Sequence, residues 1–313
     1  MKNIDTDYPS ISRLPTGLHS LDMAVSWGDQ IGYPVRTLTE VYGREHVGKS
    51  TLAYYLCGYL GNQLKPDGTM LICDFEGMDR DHLMRATPTF ESTMHIIDAQ
   101  DKKGKIRTHE SMLDEITTGF SDENVVSGMI DSIGAILPIF EKEDDMEGGM
   151  GARRAIVVAK FARKACDALV TRKTPAVMFV TNHSHEAVGG GHGHQSSGGV
   201  TLKHLAQVRM FLRYSTADHI KSGDEVLAWC VEGQLEKLRY GGKGRKFKFF
   251  IIPGYGVRTR LSVVQDCVDL GLAERSATVK IGDKSFGYIS KMVEADLAGD
   301  DKVFAPFYEA LKK

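Results

Sequence analysis

Gly43-Arg44-Glu45-His46-Val47-Gly48-Lys49-Ser50 has the G-x-x-x-x-G-K-[ST] spacing, and the chemistry of that spacing is the cradling of a polyphosphate. A glycine turn that runs into a helix N-terminus aims several backbone N–H groups at one spot. The lysine reaches the β- and γ-phosphates and the serine hydroxyl takes Mg²⁺. Gly43, Arg44, Glu45, His46, Val47, Gly48, Lys49, Ser50 and Thr51 are therefore the candidate nucleotide-binding residues, for ATP or GTP. Hydrolysis needs three further groups: a carboxylate on the metal, an activator of water and a sensor of the γ-phosphate. Asp131 closes the apolar run VVSGMID beside Ser132 and suits the metal side. Asp74 and Glu76 lie two apart and share one side if the strand stays extended. Glu76, nearer the nucleotide edge, is the candidate base. Asn182-His183 end another apolar run and suit the γ-phosphate sensor. The plainer readings are a turn-forming Asp131 and a solvated strand-end Glu76.

The elements that must position these groups show in the flanking patterns. The residues at 37–42 form a short buried-type strand ahead of the loop, and a helical run at 49–62 follows it. Then come a strand at 69–74, a helix at 79–86, a weaker strand near 94–97 and a helix at 109–119. A strand at 125–130, a long helix at 151–171 and a strand at 176–181 complete the series. Strands alternating with helices predict an α/β core with a mostly parallel central sheet and helices on both faces. Strand-like runs at 207–214, 226–231, 235–240 and 246–252 follow without helices between them. From Leu261 a small α+β unit is expected, with a helix in VVQDCVDLGLAE, a hairpin at 281–284 and a closing helix near 302–312. The expected division is a short, polar, mobile segment 1–14, a core at 15–260 and a small C-terminal domain at 261–313.

Composition bounds the partners. Thirty-nine Lys and Arg against 41 Asp and Glu give a net charge of −2, so any nucleic-acid site must be a local patch. The five cysteines stand singly and mostly in apolar runs, which fits reduced thiols in the cytoplasm better than a disulfide framework or zinc site. No signal-type segment or apolar run of about eighteen residues occurs, so a soluble protein without a membrane partner is expected. Two segments break the alternation. Residues 141–151 (EKEDDMEGGMG) are acidic, and 184–200 (SHEAVGGGHGHQSSGGV) are too rich in Gly, His and Ser to pack a core. The second should be flexible and solvent-facing, at the strand edge where such folds bind ligands. His183, His185, His192 and His194 invite a metal, but no Cys joins them and ordering the glycines costs entropy.

In order, Thr16–Asp22, the phosphate loop, Asp74-Phe75-Glu76, Ile130-Asp131-Ser132, Asn182-His183 and the glycine-rich segment resemble the RecA recombinase family. Asn182-His183-Ser184-His185-Glu186 ahead of Gly189-Gly190-Gly191, and Glu236-Lys237-Leu238-Arg239 ahead of Lys246–Phe250, are most similar to the phage UvsX type. The resemblance covers roughly 15–257 and extends into the C-terminal unit at Val264–Leu272. It implies a RecA-type ATPase core that binds ATP and Mg²⁺ and assembles on DNA. Residue by residue, it makes Glu76 the catalytic glutamate, Ser50 and Asp131 the Mg²⁺ side, and His183 the link between γ-phosphate and DNA affinity. Asp79 and His82 fall near adenine-contacting positions, with spacing one residue shorter than the family's. The two irregular segments match DNA-binding loops, which makes Met146, Met150, Arg153, Arg154, Gly189, Gly190, Gly191, Ser196, Ser197, Gly198, Gly199 and Lys203 candidate DNA contacts. Lys237 and Arg239 match a basic pair that reaches a neighbouring subunit's γ-phosphate. Two residues apart on a strand, they would share a face, and charge supplied in trans would make hydrolysis depend on assembly. An exposed strand face is the plainer reading.

The function implied is an ATP-dependent recombinase that coats single-stranded DNA as a helical filament and pairs it with homologous duplex, with single-strand-binding or mediator proteins as possible partners. A ring-forming helicase or motor and an accessory ATPase without strand exchange use the same core and stay open. The family's N-terminal docking helix has no amphipathic counterpart in 1–14, so either Tyr8-Pro9-Ser10-Ile11 docks on the next subunit or assembly is weak or partner-dependent. Lys246-Phe247-Lys248-Phe249 alternates, as a basic strip or as a half-buried strand with a solvated face.

Overall fold

A computed structural model describes residues 12–87, 93–100, 104–139, 150–186, 194–196, 199–239 and 241–312. Met146, Gly189, Gly190, Gly191, Ser197, Gly198 and the Tyr8–Ile11 segment lie outside the described residues.

The Thr37–Gly43 strand is buried along its whole length, because both of its faces are covered. On the neighbouring Val177–Glu186 strand, Val177 and Phe179 join one core cluster while Met178 and Val180 join another. On Thr69–Asp74, Met70 and Ile72 face the first cluster and Leu71 the second. This period-two partition between two apolar layers is why the strands read as apolar runs rather than as alternating ones. Helix Lys49–Leu64 fills the first layer; helices His109–Gly119 and Met150–Thr171 fill the second.

Across the main sheet the strands run Gly256–Arg258, Lys246–Ile252, Glu225–Leu238, Val208–Tyr214, Thr37–Gly43, Val177–Glu186, Val125–Asp131, Thr69–Asp74 and Thr93–Ile97. The six from Val208–Tyr214 onward are parallel to one another, and the other three form an antiparallel wing that joins them at Val208–Tyr214. Parallel strands bring their C-terminal ends to one edge, so Gly43, Asp74, Asp131 and His183 arrive together.

Three expectations need correction. The runs at 226–231 and 235–240 are one strand, Glu225–Leu238, with a register shift between Leu235 and Lys237. It ends at Leu238, so Arg239 is a turn residue and the shared-strand-face argument for Lys237 and Arg239 fails. Second, the 184–200 segment is ordered at its root. The central strand continues to Glu186, and His194–Ser196 returns antiparallel with Ser184 opposite Ser196. Backbone pairing supplies there the order that the side chains could not. Third, a helix at Ile289–Leu297 joins the expected hairpin strands Thr278–Ile281 and Lys284–Tyr288 and the closing helix Asp301–Leu311.

The C-terminal unit shares a core with the antiparallel wing. Leu261 and Val264 of helix Thr259–Asp269 cluster with Ala228, Cys230, Phe250 and Phe304. The Lys246–Phe249 alternation is a half-buried strand: Phe247 and Phe249 are buried, while Lys246 pairs with Glu232 (3.3 Å) and Lys248 with Asp218 (2.9 Å) and Asp269 (3.0 Å). Among the described residues no helix is long and apolar enough to cross a membrane.

Candidate active site

The phosphate loop leaves the sheet after Gly43, where a Cβ would meet the Leu212 carbonyl oxygen at 2.5 Å. It enters the helix through Gly48, whose φ of +89° is one that side-chain-bearing residues rarely adopt. The Tyr214 hydroxyl braces it by donating to the His46 carbonyl (2.6 Å). Lys49 is buried and donates to the Arg44 carbonyl (2.8 Å). Burial pulls its ammonium below the ordinary lysine pKa, opposed by Glu76, Asp131 and Glu45.

Asp131 is the best-supported side chain of the site. Ser50 Oγ donates to its Oδ1 (3.0 Å), Thr181 Oγ1 to the same oxygen (2.5 Å) and the Tyr54 hydroxyl to Oδ2 (3.1 Å). Burial pushes the carboxyl pKa up, and the Thr181 and Ser50 hydroxyls pull it back. A hydroxyl and a carboxylate in hydrogen-bond contact form an all-oxygen donor set. That suits Mg²⁺, which holds several waters and takes one or two protein ligands beside phosphate oxygens. Among the described residues no three His, Cys, Asp or Glu side chains converge as a metal cage.

The two carboxylates of the Asp74-Phe75-Glu76 segment part company. Asp74 accepts from the backbone N–H groups of Glu76, Gly77 and Met78 (3.0, 3.0 and 2.6 Å) and so folds the turn. That turn swings Glu76 into the cavity, where its Oε1 accepts from Ser132 Oγ and meets His183 Nε2 at 3.2 Å. Glu45, His46, Gly48, Lys49, Ser50, Glu76, Asp131, Ser132, Ala135 and His183 thus line one cavity of about 520 Å³. A polyphosphate cradle, an oxygen pair for a hard cation, and a carboxylate tied to a histidine share this space.

A family model described as the RecA N-terminal domain matches residues 1–257. The chain belongs to the RecA family of recombinases. It is 28% identical over 293 residues to Protein RecA of Acholeplasma laidlawii, covering 89% of this chain and 80% of that protein. With Protein RecA of Fusobacterium nucleatum it shares 26% identity over 324 residues, 97% of this chain and 77% of the other.

The other described residues that the RecA resemblance singled out do not line this cavity. Thr51 is buried, with its Oγ1 3.4 Å from His82 Nε2, so His82 sits against the start of the phosphate-loop helix. Asp79 caps helix Arg80–Ala86 by accepting from the Asp81 N–H (3.0 Å). On the side of the two loops, Met150 lies in the first turn of helix Met150–Thr171. Arg153 is exposed, and Arg154 donates to the Gly134 carbonyl (3.2 Å), behind Ser132. Gly199 precedes helix Val200–Leu205 with φ +86°. Ser196 is buried and accepts from Arg209 Nη2 (3.1 Å), so its hydroxyl faces the sheet.

Lys237 and Arg239 do not line the nucleotide cavity. They line a second one of about 420 Å³ with Cys166, Val170, His204, Leu205 and Gln207. Lys237 Nζ donates to the carbonyls of Lys203 (3.1 Å) and His204 (2.5 Å) at the end of a short helix. Burial first, then Arg209 and Arg239 beside it, hold Lys237 below the ordinary lysine pKa.

Sequence reasoning passed over Ser132, Thr181, Tyr54, Glu40 and Arg209. The first two stand beside residues it chose, and only strand register makes them partners. Glu40 left a legible signal: an acid in the apolar strand TLTEVYG must find a cation on an adjacent strand.

Proposed function

We propose that this RecA-family chain is a DNA-dependent ATPase, using ATP and Mg²⁺, that forms a filament on single-stranded DNA and pairs it with homologous duplex. The observation that carries the reading is the single cavity holding Lys49, Ser50, Asp131, Glu76 and His183. Ser50 and Asp131 would hold Mg²⁺, which would supply neutralisation of charge on the phosphates. Lys49 adds a buried positive charge at the same phosphates, where low dielectric strengthens it. Glu76 accepts a proton from the water attacking the γ-phosphorus as the bond from that phosphorus to the β–γ bridging oxygen breaks. Its Oε1 already holds Ser132 and His183, which leaves Oε2 for the water.

His183 touches the base and continues through Ser184 into the strand opposite Ser196, so the γ-phosphate end of the pocket and the root of the second loop are one piece of backbone. That continuity supports the role of the segment after His183, with Gly199 and Lys203 beyond it, in gripping DNA, and the exposure of Arg153 near the start of helix Met150–Thr171 supports a role for it there. Lys237 and Arg239 crowd together as cations outside their own chain's nucleotide cavity, which supports their use at a neighbouring subunit's phosphate. The finer likeness to UvsX-type recombinases rests on the motifs after Asn182 and before Lys246, and a cytoplasmic setting fits the buried thiols Cys57, Cys73, Cys230 and Cys267.

ATP hydrolysis measured with and without single-stranded DNA tests the proposal. Stimulation by DNA is expected together with filaments in electron micrographs. Stimulation with closed rings would favour a helicase-type motor, and hydrolysis indifferent to DNA would make the chain an accessory ATPase.

A further inference from the structure

Glu40 sits in the middle of the phosphate-loop strand and is completely buried. An ionised carboxylate there is costly unless it is both paired and hydrogen-bonded. It has both kinds of partner, from two different strands. Asn182 Nδ2 donates to Oε1 (2.8 Å), and Arg209 Nε donates to Oε2 (2.5 Å). Arg209 lies directly across from Glu40 in the parallel register, with its guanidinium 4.8 Å from the centre of the Tyr42 ring. The same guanidinium donates through Nη2 to Ser196 Oγ (3.1 Å), and on its other side Arg209 is the cross-strand neighbour of Lys237.

Each end of this network therefore reaches a different working part. Asn182 precedes His183, which touches Glu76 in the nucleotide cavity. Ser196 is the last residue of the strand that returns from the glycine-rich loop. A buried ion pair is a poor stabiliser in itself, since apolar residues of similar volume often do as well or better. What the pair supplies that apolar residues could not is directional: one guanidinium fixes Ser196 and one carboxylate fixes Asn182, about a single buried point.

We propose that Glu40 and Arg209 are a positioning pair that registers the γ-phosphate end of the pocket against the root of the second loop, so that nucleotide state and grip on DNA change together. This inference rests on the recombinase mechanism above. A displacement of Asn182-His183 by the γ-phosphate moves the acceptor of Arg209, and with it the donor that holds Ser196. Through Lys237 the same movement reaches the second, basic cavity.

Glu40→Gln keeps an acceptor for Asn182 and removes the charge that Arg209 requires. The readout is the affinity of full-length protein for a fluorescein-labelled poly-dT oligonucleotide, measured with a non-hydrolysable ATP analogue and again with ADP. The ratio of the two affinities is the coupling. It should fall about tenfold or more, within the range of typical coupling between sites, while binding of the analogue itself changes little. Glu40→Gln/Arg209→Gln removes both charges, avoids leaving Arg209 unpaired in the core, and should lose the ratio equally; it carries the test if the single variant does not fold. A wild-type ratio in either folded variant, including one in which both affinities weaken in parallel, would overturn the positioning role. Absence of any nucleotide-dependent DNA affinity in the unsubstituted protein would instead sink the recombinase mechanism, and this inference with it.

Discussion

The nucleotide cavity and the basic cavity are both built on ends of strands, yet they handle charge in opposite ways. In the first, Lys49 is set against Glu76, Asp131 and Glu45, and Asp131 has three hydroxyl donors. In the second, burial and then the nearby cations Arg209 and Arg239 depress the pKa of Lys237, with Cys166 and Glu40 opposing them. A site whose signs balance within one chain is ready to bind, whereas a cluster of one sign is poised for an anion from elsewhere. On the function proposed above, the contrast separates binding from turnover: one chain would suffice for the first, and the second would depend on a neighbour.

Substitutions in the balanced cavity should break turnover most severely. Glu76→Gln keeps the shape of the side chain but loses the base, so hydrolysis should fall by roughly 10²–10⁴ with ATP affinity nearly unchanged in a fluorescent-nucleotide titration. Comparable losses of affinity and rate would make Glu76 a binding residue. Lys49→Ala should cost on the order of 10²–10³ in rate by removing one preorganised charge, while circular dichroism stays native. Hydrolysis at the unsubstituted rate would mean that the site is elsewhere.

The balanced cavity was also the more legible in the sequence. The placement of Gly48 and Lys49 is legible locally, because a phosphate loop is a contiguous motif whose glycines meet a steric demand. The arrival of Asp131 and Glu76 at one cavity was readable because parallel strands deliver their C-terminal residues to one edge. The division of labour between Asp74 and Glu76 was not, since it depends on a three-residue turn that Asp74 itself folds. The order at the root of the 184–200 segment was hidden because backbone pairing, not side-chain character, creates it. Likewise the bulge after Leu235 and the end of the strand at Leu238 leave no mark in the residue pattern. The helix at Ile289–Leu297 escaped notice as a short amphipathic piece behind a hairpin.

A smaller effect sharpens the contrast from outside both cavities. Asp266 is buried, its Oδ1 has no hydrogen-bond partner, and burial raises its pKa to about 7; burial raises Asp22 to about 6. A folded-state pKa above the unfolded one means that the native protein binds the extra proton between pH 4 and 7. The contribution of these two carboxyls to stability should therefore be fully present below the unfolded value near 3.8 and be lost as pH rises through 6 and 7. Thermal melts should show Tm dropping by a few degrees across that window, on the scale of ~2–4 °C per kcal/mol for a chain of this size. Asp266→Asn should flatten the decline, and an unchanged slope would mean that Asp266 is ionised throughout.

Mixing two inactive variants tests the division between cavities most directly. Lys237→Ala/Arg239→Ala retains a complete nucleotide cavity, and Lys49→Ala retains the basic pair. Each alone should lack DNA-stimulated hydrolysis. Mixed on single-stranded DNA, they should recover part of it, because at some interfaces a Lys49→Ala subunit lends its cations to a neighbour with an intact phosphate loop. Recovery should peak at intermediate mixing ratios. No recovery at any ratio, with co-assembly on the DNA demonstrated by fluorescence energy transfer, would contradict the shared site and leave Lys237 and Arg239 without a role in turnover.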